Sequence, residues 1–176
     1  MFRDNSLIPA EAVRLAALGF LAEAPRRYGD LAAEIRHFTG RIVGPSLDLM
    51  GTSLELMRFE GLIEAVDGEG MADNAVLRLT SAGRTALLSL LKAQLRRPLA
   101  EMNRLALFLK LRFLDHLSSE DQTAQRALIA EALESERARF DELRRHPGAP
   151  PLFGDWLARD IALLDDRIAW LRGNGG

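Results

Sequence analysis

Glu131 and Glu134 stand three residues apart in a helix-forming stretch, the spacing at which carboxylates on one helix face can hold a metal pair. The Glu-x-x-His step that completes such a site does not accompany them, so they read as a solvated acidic face. His37, His116 and His146 lie far apart, and none has a second histidine at the H-E-x-x-H spacing of a helical zinc site. The chain has no cysteine, which excludes disulfides, thiolate metal sites and cysteine nucleophiles. It also has no P-loop, no G-x-G-x-x-G and no G-x-S-x-G elbow. The expectation is a protein that is not an enzyme, with no cofactor and no metal.

The chemistry that remains is recognition. The stretch "GPSLDLMGTSLELMRFEGLIE", Gly44 to Glu64, has the form of a DNA-reading helix followed by the entry to a wing. At 100° per residue Leu47, Met50, Leu54 and Met57 share one face, which should pack inward. Asp48, Leu49, Thr52, Glu55, Leu56 and Phe59 form the opposite face, with Ser46 and Arg58 near the ends. Hydroxyl and guanidinium groups hydrogen-bond to base edges, a carboxylate accepts from cytosine N4, and leucine can meet a thymine methyl. Arg26, Arg27, Arg36, His37 and Arg41 cluster around the preceding helix and turn, where a helix-turn-helix crosses the phosphate backbone. Arg78 is the basic residue of the wing. The candidate DNA-binding set is therefore Arg36, His37, Arg41, Ser46, Asp48, Leu49, Thr52, Glu55, Arg58 and Arg78.

The elements that must position these groups follow from periodicity and turn chemistry. Pro9 opens a helix to about Glu23, which Ala24-Pro25 ends. Asp30 opens a second helix through about Phe38, and Gly40 to Gly44 reads as a turn. The third helix starts at Pro45 or Ser46 and ends near Glu60, with Gly61 as a left-handed cap. "LIEAVD" and "AVLRLT", separated by "GEGMADN", read as a β-hairpin. Beyond Thr80 everything reads as helix. Leu105 to Leu117 is apolar on nearly every side, Ser118 and Ser119 cap the helix that follows, Ser119 with Gln122 fits a capping box, and "PGAPP" is a stiff linker. The last helix, about Phe153 to Arg172, carries Leu157, Ile161, Leu164, Ile168 and Leu171 at steps of 4, 3, 4 and 3. That seam packs either on the helix running from Ser119 to His146 or on a second subunit. Trp156 and Trp170 would add buried area, and the candidate dimerisation set is Trp156 with the five aliphatic residues.

Composition fits this outline. Of 176 residues 48% are hydrophobic and 27% charged, and the net charge is −2. No apolar run approaches a membrane span, and the start lacks a secretory pattern, so the expected compartment is the cytoplasm with no membrane partner. Residues 1–80 hold 8 arginines, no lysine and 12 acids, a net of −4. The expected fold is mainly α: a winged helix-turn-helix at 1–90, made of three helices and a two-stranded wing, then a helical dimerisation domain at 91–176.

The segments "LGFLAEAPRRYGDLAAEI", "SLDLMGTSLELMRFEGLIE" and "LRLTSAGRTAL" resemble the PadR family of bacterial transcription regulators. "FLKLRFLDHLSSEDQTAQRALIAEAL" is similar to that family's dimerising helical region, most nearly the subgroup of the Vibrio virulence-gene activator. The resemblance covers roughly residues 8 to 172. It implies a homodimer on a pseudo-palindromic operator of double-stranded DNA, with each third helix in a major groove, and a small-molecule effector near the dimer interface. The chain departs from the family at Gly51, Glu55 and Leu56, where tyrosine and basic residues are common. Those departures raise a second reading, an adaptor that keeps the fold and meets protein through Leu49, Leu56 and Phe59.

Overall fold

The structure, a computed structural model, describes residues 9–43, 50–66, 74–95, 101–145 and 150–173, without the side chains of 9–10, 40–43, 50–53 and 101–102. Helix α1 (Pro9–Glu23) leads into a short strand β1 (Arg26–Arg27), helix α2 (Tyr28–Val43) and helix α3 (Met50–Phe59). Strands β2 (Ile63–Ala65) and β3 (Val76–Leu79) follow, then α4 (Ser81–Lys92), α5 (Glu101–Arg112), a 3-10 turn (Leu114–His116), α6 (Ser119–Arg144) and α7 (Pro151–Leu171). Three helices and a small antiparallel sheet, continued by long helices, are the winged-helix-plus-helical-region architecture expected.

Several local details differ from expectation. The sheet has three strands in the order β1-β3-β2, with Arg26 opposite Leu77 and Glu64 opposite Arg78. The extra strand β1 is the segment after Pro25, pulled onto the wing and continued by Tyr28 N–H to the Ala75 carbonyl at 2.9 Å. Helix α2 runs through Gly40 to Val43 instead of ending near Phe38. Glycine costs a helix only about 1 kcal/mol, too little to end it unaided. Of the two serines expected to cap α6, Ser118 does so, its hydroxyl accepting from Asp121 N–H, and the Ser119–Gln122 capping box does not form. Gln122 instead donates to the Leu117 carbonyl at 3.0 Å.

The wing is fastened by turn chemistry. Gly61 adopts φ 72°, and the Gly61 and Leu62 N–H groups return to the Arg58 and Met57 carbonyls, each at 2.9 Å, closing the end of α3. Thr80 caps α4 by accepting from Gly83 N–H, while its hydroxyl lies 2.7 Å from the Gly61 carbonyl. A Cβ on Gly83 would come within 2.0 Å of the Leu62 carbonyl oxygen, so only glycine lets α4 start this close to β2.

Two cores are joined by α5. The first gathers α1, α2, α3, the sheet and α4, and takes Leu105, Leu109 and Phe113 from the far end. There the Phe113 ring stands edge-on to Phe20 at 5.2 Å. The second lies between α6 and α7, around Ile129, Leu133, Leu164 and Ile168, with Leu107 and Leu111 packed against it. At the joint Lys110 is only 1% exposed. Its ammonium donates to the Leu91 and Ala93 carbonyls at the end of α4 and to Gln125 Oε1 of α6 at 3.1 Å. Next to it Lys92 pairs with Asp121 at 2.7 Å.

Candidate nucleic-acid interface

Leu54 and Met57, both 0% exposed, root α3 in the first core, as their spacing predicts. That burial turns Glu55, Leu56, Arg58 and Phe59 to solvent, with Phe59 90% exposed. The end of the helix is further held by an ion pair between Arg14 of α1 and Glu60. Ser46, Asp48 and Leu49 lie outside the described residues, as do Leu47 and the side chains of Arg41, Met50 and Thr52.

Arg36 and His37 are exposed on α2, opposite the buried Leu31 and Ile35. The two strand arginines beside them divide sharply. Arg26 is bound inward, donating to the Phe20 carbonyl at 3.3 Å and pairing with Glu23 at 3.2 Å and Glu34 at 2.5 Å. Its guanidinium also lies 5.7 Å from the Phe20 ring centre, so it braces α1 against α2. Arg27 is exposed. On the wing, Arg78 is half-exposed but paired to Glu64 at 2.7 Å, the residue directly across the β2–β3 ladder. Among the described residues of this face, Arg27, Arg36, His37 and Arg58 therefore remain without an ion-pair partner. Leu56, Phe59 and Val66 are exposed large apolar side chains of the same half of the chain.

The C-terminal half presents a different surface. Leu157, Ile161, Leu164, Ile168 and Leu171 are all buried, on the side of α7 that packs against α6 of the same chain. Trp156 and Trp170 are 64% and 58% exposed in the single chain. A groove of about 550 Å³ opens between α5, α6 and α7, with Phe108, Phe140, Leu163 and Trp170 among its apolar walls and Arg104 and Arg167 at its edges. Glu134 pairs with Arg172 at 2.5 Å, fastening the end of α7 to α6, so its carboxylate has a structural partner. Among the described residues no group of three His, Asp or Glu is placed to hold a metal ion. Among the described residues no helix is long and apolar enough to cross a membrane.

Sequence reasoning missed two features of these surfaces. The inward commitment of Arg26 depends on Glu34, eight residues on, which no local pattern announces. The outer stripe of α7 was legible: Trp156, Asp160, Leu163, Arg167 and Trp170 repeat at the same 4, 3, 4, 3 steps as the inner seam, one residue earlier. The family model described as "Putative AphA-like transcriptional regulator" matches residues 2–174. No curated protein matches.

Proposed function

The chain belongs to that AphA-like family of transcriptional regulators, and from this premise we propose that it is a homodimeric, DNA-binding regulator of PadR type with α3 as its reading helix. The placement of α3 is the supporting observation: Leu54 and Met57 are wholly buried, so the opposite face is offered to solvent with the wing beside it. Arg36, His37 and Arg41 position the domain on phosphates, with Arg78 reaching a phosphate from the wing. Ser46, Asp48, Leu49, Thr52, Glu55 and Arg58 face base edges, where Glu55 would accept from cytosine N4. Dimerisation places two such helices on a pseudo-palindromic operator. Trp156 faces the partner, and Leu157, Ile161, Leu164, Ile168 and Leu171 support that face by seating α7 on α6. The groove between α5, α6 and α7 is the volume where a small-molecule effector would sit.

The test is fluorescence anisotropy on labelled fragments of the protein's own promoter, titrated with salt. About four phosphate contacts per protomer should cost the dimer roughly ten-thousandfold in affinity between 50 and 200 mM salt. No binding at 50 mM overturns the proposal. A second reading has one observation in its favour: Leu56 is 48% and Phe59 90% exposed beside Glu55, a surface suited to a protein partner. If DNA binding is absent and Phe59→Asp abolishes capture of a partner protein, the adaptor reading replaces the first.

A further inference from the structure

Leu54 and Met57 define the buried side of α3. At 100° per residue Phe59 stands about 170° from the middle of that side, with Glu55 and Leu56 each about 130° from it, on opposite hands. All three are exposed, and Phe59 is the most exposed large hydrophobic side chain among the described residues. Arg58 is also exposed, but it lies only about 70° from the buried middle, on the flank of the helix. Among the described side chains, the centre of the outward face therefore holds two apolar groups and one carboxylate.

Base edges in the major groove ask for different partners. Guanine offers two acceptors and is read by a guanidinium or an ammonium, and adenine is read by an amide. The centre of this face supplies none of these among its described side chains. Thymine presents a methyl group there, and a methyl is the part of a base edge that an apolar side chain can bury. The surrounding charge favours a duplex over a protein. Arg27, Arg36, His37 and Arg58, which lack an ion-pair partner among the described residues, suit the phosphates on either side of a groove.

We propose that Leu56 and Phe59 are specificity-determining residues that read thymine through its C5-methyl group, so that each half-site of the operator carries two thymines under α3. This rests on the reading of α3 as a DNA-reading helix and names the bases it selects. Three residues of helix rise about 4.5 Å, and successive base pairs stand about 3.4 Å apart. With α3 along the groove, the two thymines are therefore one or two base steps apart. Glu55 lies on the other side of Phe59 from Leu56. Its carboxylate only accepts hydrogen bonds, so it disfavours guanine, whose major-groove edge carries two acceptors.

Uracil in DNA tests this directly. The protein's own promoter fragment is amplified with either thymidine or deoxyuridine triphosphate. Deoxyuridine keeps the base pairing and the O4 acceptor and lacks only the methyl. A buried methyl is worth about fourfold in affinity, so two in each of two half-sites make roughly two-hundredfold at most. In fluorescence anisotropy at one fixed salt concentration, the uracil fragment should bind about tenfold more weakly or worse. The Leu56→Ala, Phe59→Ala double variant should bind the uracil fragment as wild type does and lose most of the preference for thymine. Its binding to the uracil fragment verifies that it is folded. Equal wild-type affinity for the two fragments overturns the proposal and leaves DNA reading standing. So does a thymine preference that survives in the double variant, and if that variant no longer captures a partner protein, the face belongs to protein. No binding to the thymine fragment at 50 mM salt overturns both.

Discussion

Lys110 is the charged side chain that the fold takes furthest from water among the described residues. Burial pushes its ammonium down to about 8, from an ordinary value of 10.5. It is therefore still protonated at neutral pH, and each of its three protons has an acceptor: Leu91, Ala93 and Gln125. A compact ammonium fits the end of a helix, where last-turn carbonyls are left without partners, better than a planar guanidinium would. Lys110→Met strands three acceptors, and the variant should be about 2 kcal/mol less stable at pH 7 in urea unfolding. The pH dependence has a definite sign. With the folded value below the unfolded one, the folded chain gives up this proton first, between about pH 8 and 10.5. The unfolded chain then holds more protons, so this residue adds stability as pH rises through that window. The advantage of wild type over Lys110→Met should widen from pH 7 to pH 10; a gap that narrows would contradict the assignment.

The wing and α3 show which parts of an element local chemistry dictates. Gly61, Thr80 and the short aliphatic runs "LIEAVD" and "AVLRLT" place the end of α3, the start of α4 and the hairpin, because each acts within a few residues. Gly40 looks like a stop for α2, yet a single glycine is too weak a signal to fix a helix end. Strand β1 was invisible: two arginines after a proline carry no strand signal, and they pair only because β3 offers an open edge. The candidate interface divides in the same way. The inward face of α3 was legible from spacing, but the state of each arginine depends on neighbours distant in sequence. Arg78 illustrates this, since its cross-strand partner Glu64 lies fourteen residues away. Replacing that carboxylate should release the guanidinium toward DNA. On the proposed reading, Glu64→Gln should tighten binding to promoter DNA about threefold at low salt, the effect fading as salt rises. Unchanged affinity would remove Arg78 from the interface.

In the whole molecule, α5 is common property. Leu105 and Leu109 face the first core while Leu107 and Leu111 face the second, so neither core is complete without this helix. The apolar run from Leu105 to Leu117 signalled several buried sides, although Phe108 remains 42% exposed toward the groove. Sharing a helix couples the winged half to the α6–α7 half, and unfolding should be a single transition. The chain's two tryptophans, Trp156 and Trp170, both lie in α7, so their fluorescence reports that hairpin alone, while far-ultraviolet circular dichroism averages all the helices. The two urea curves should coincide; a fluorescence midpoint well below the dichroism midpoint would mean that α6 and α7 melt as a separate unit.

Lysine usage turns the same joint into a chemical window. The chain has two side-chain amines, and both sit where α4, α5 and α6 meet: Lys92 in an ion pair at the rim, Lys110 sealed beneath it. Apart from the chain's α-amino group, an amine-directed ester therefore surveys a single place in the molecule. Lys92 marks its outer edge, and modification of Lys110 records the moments when the joint comes apart. Mass spectrometry after brief labelling, with DNA or a candidate effector present or absent, would follow the opening of this joint with no introduced probe.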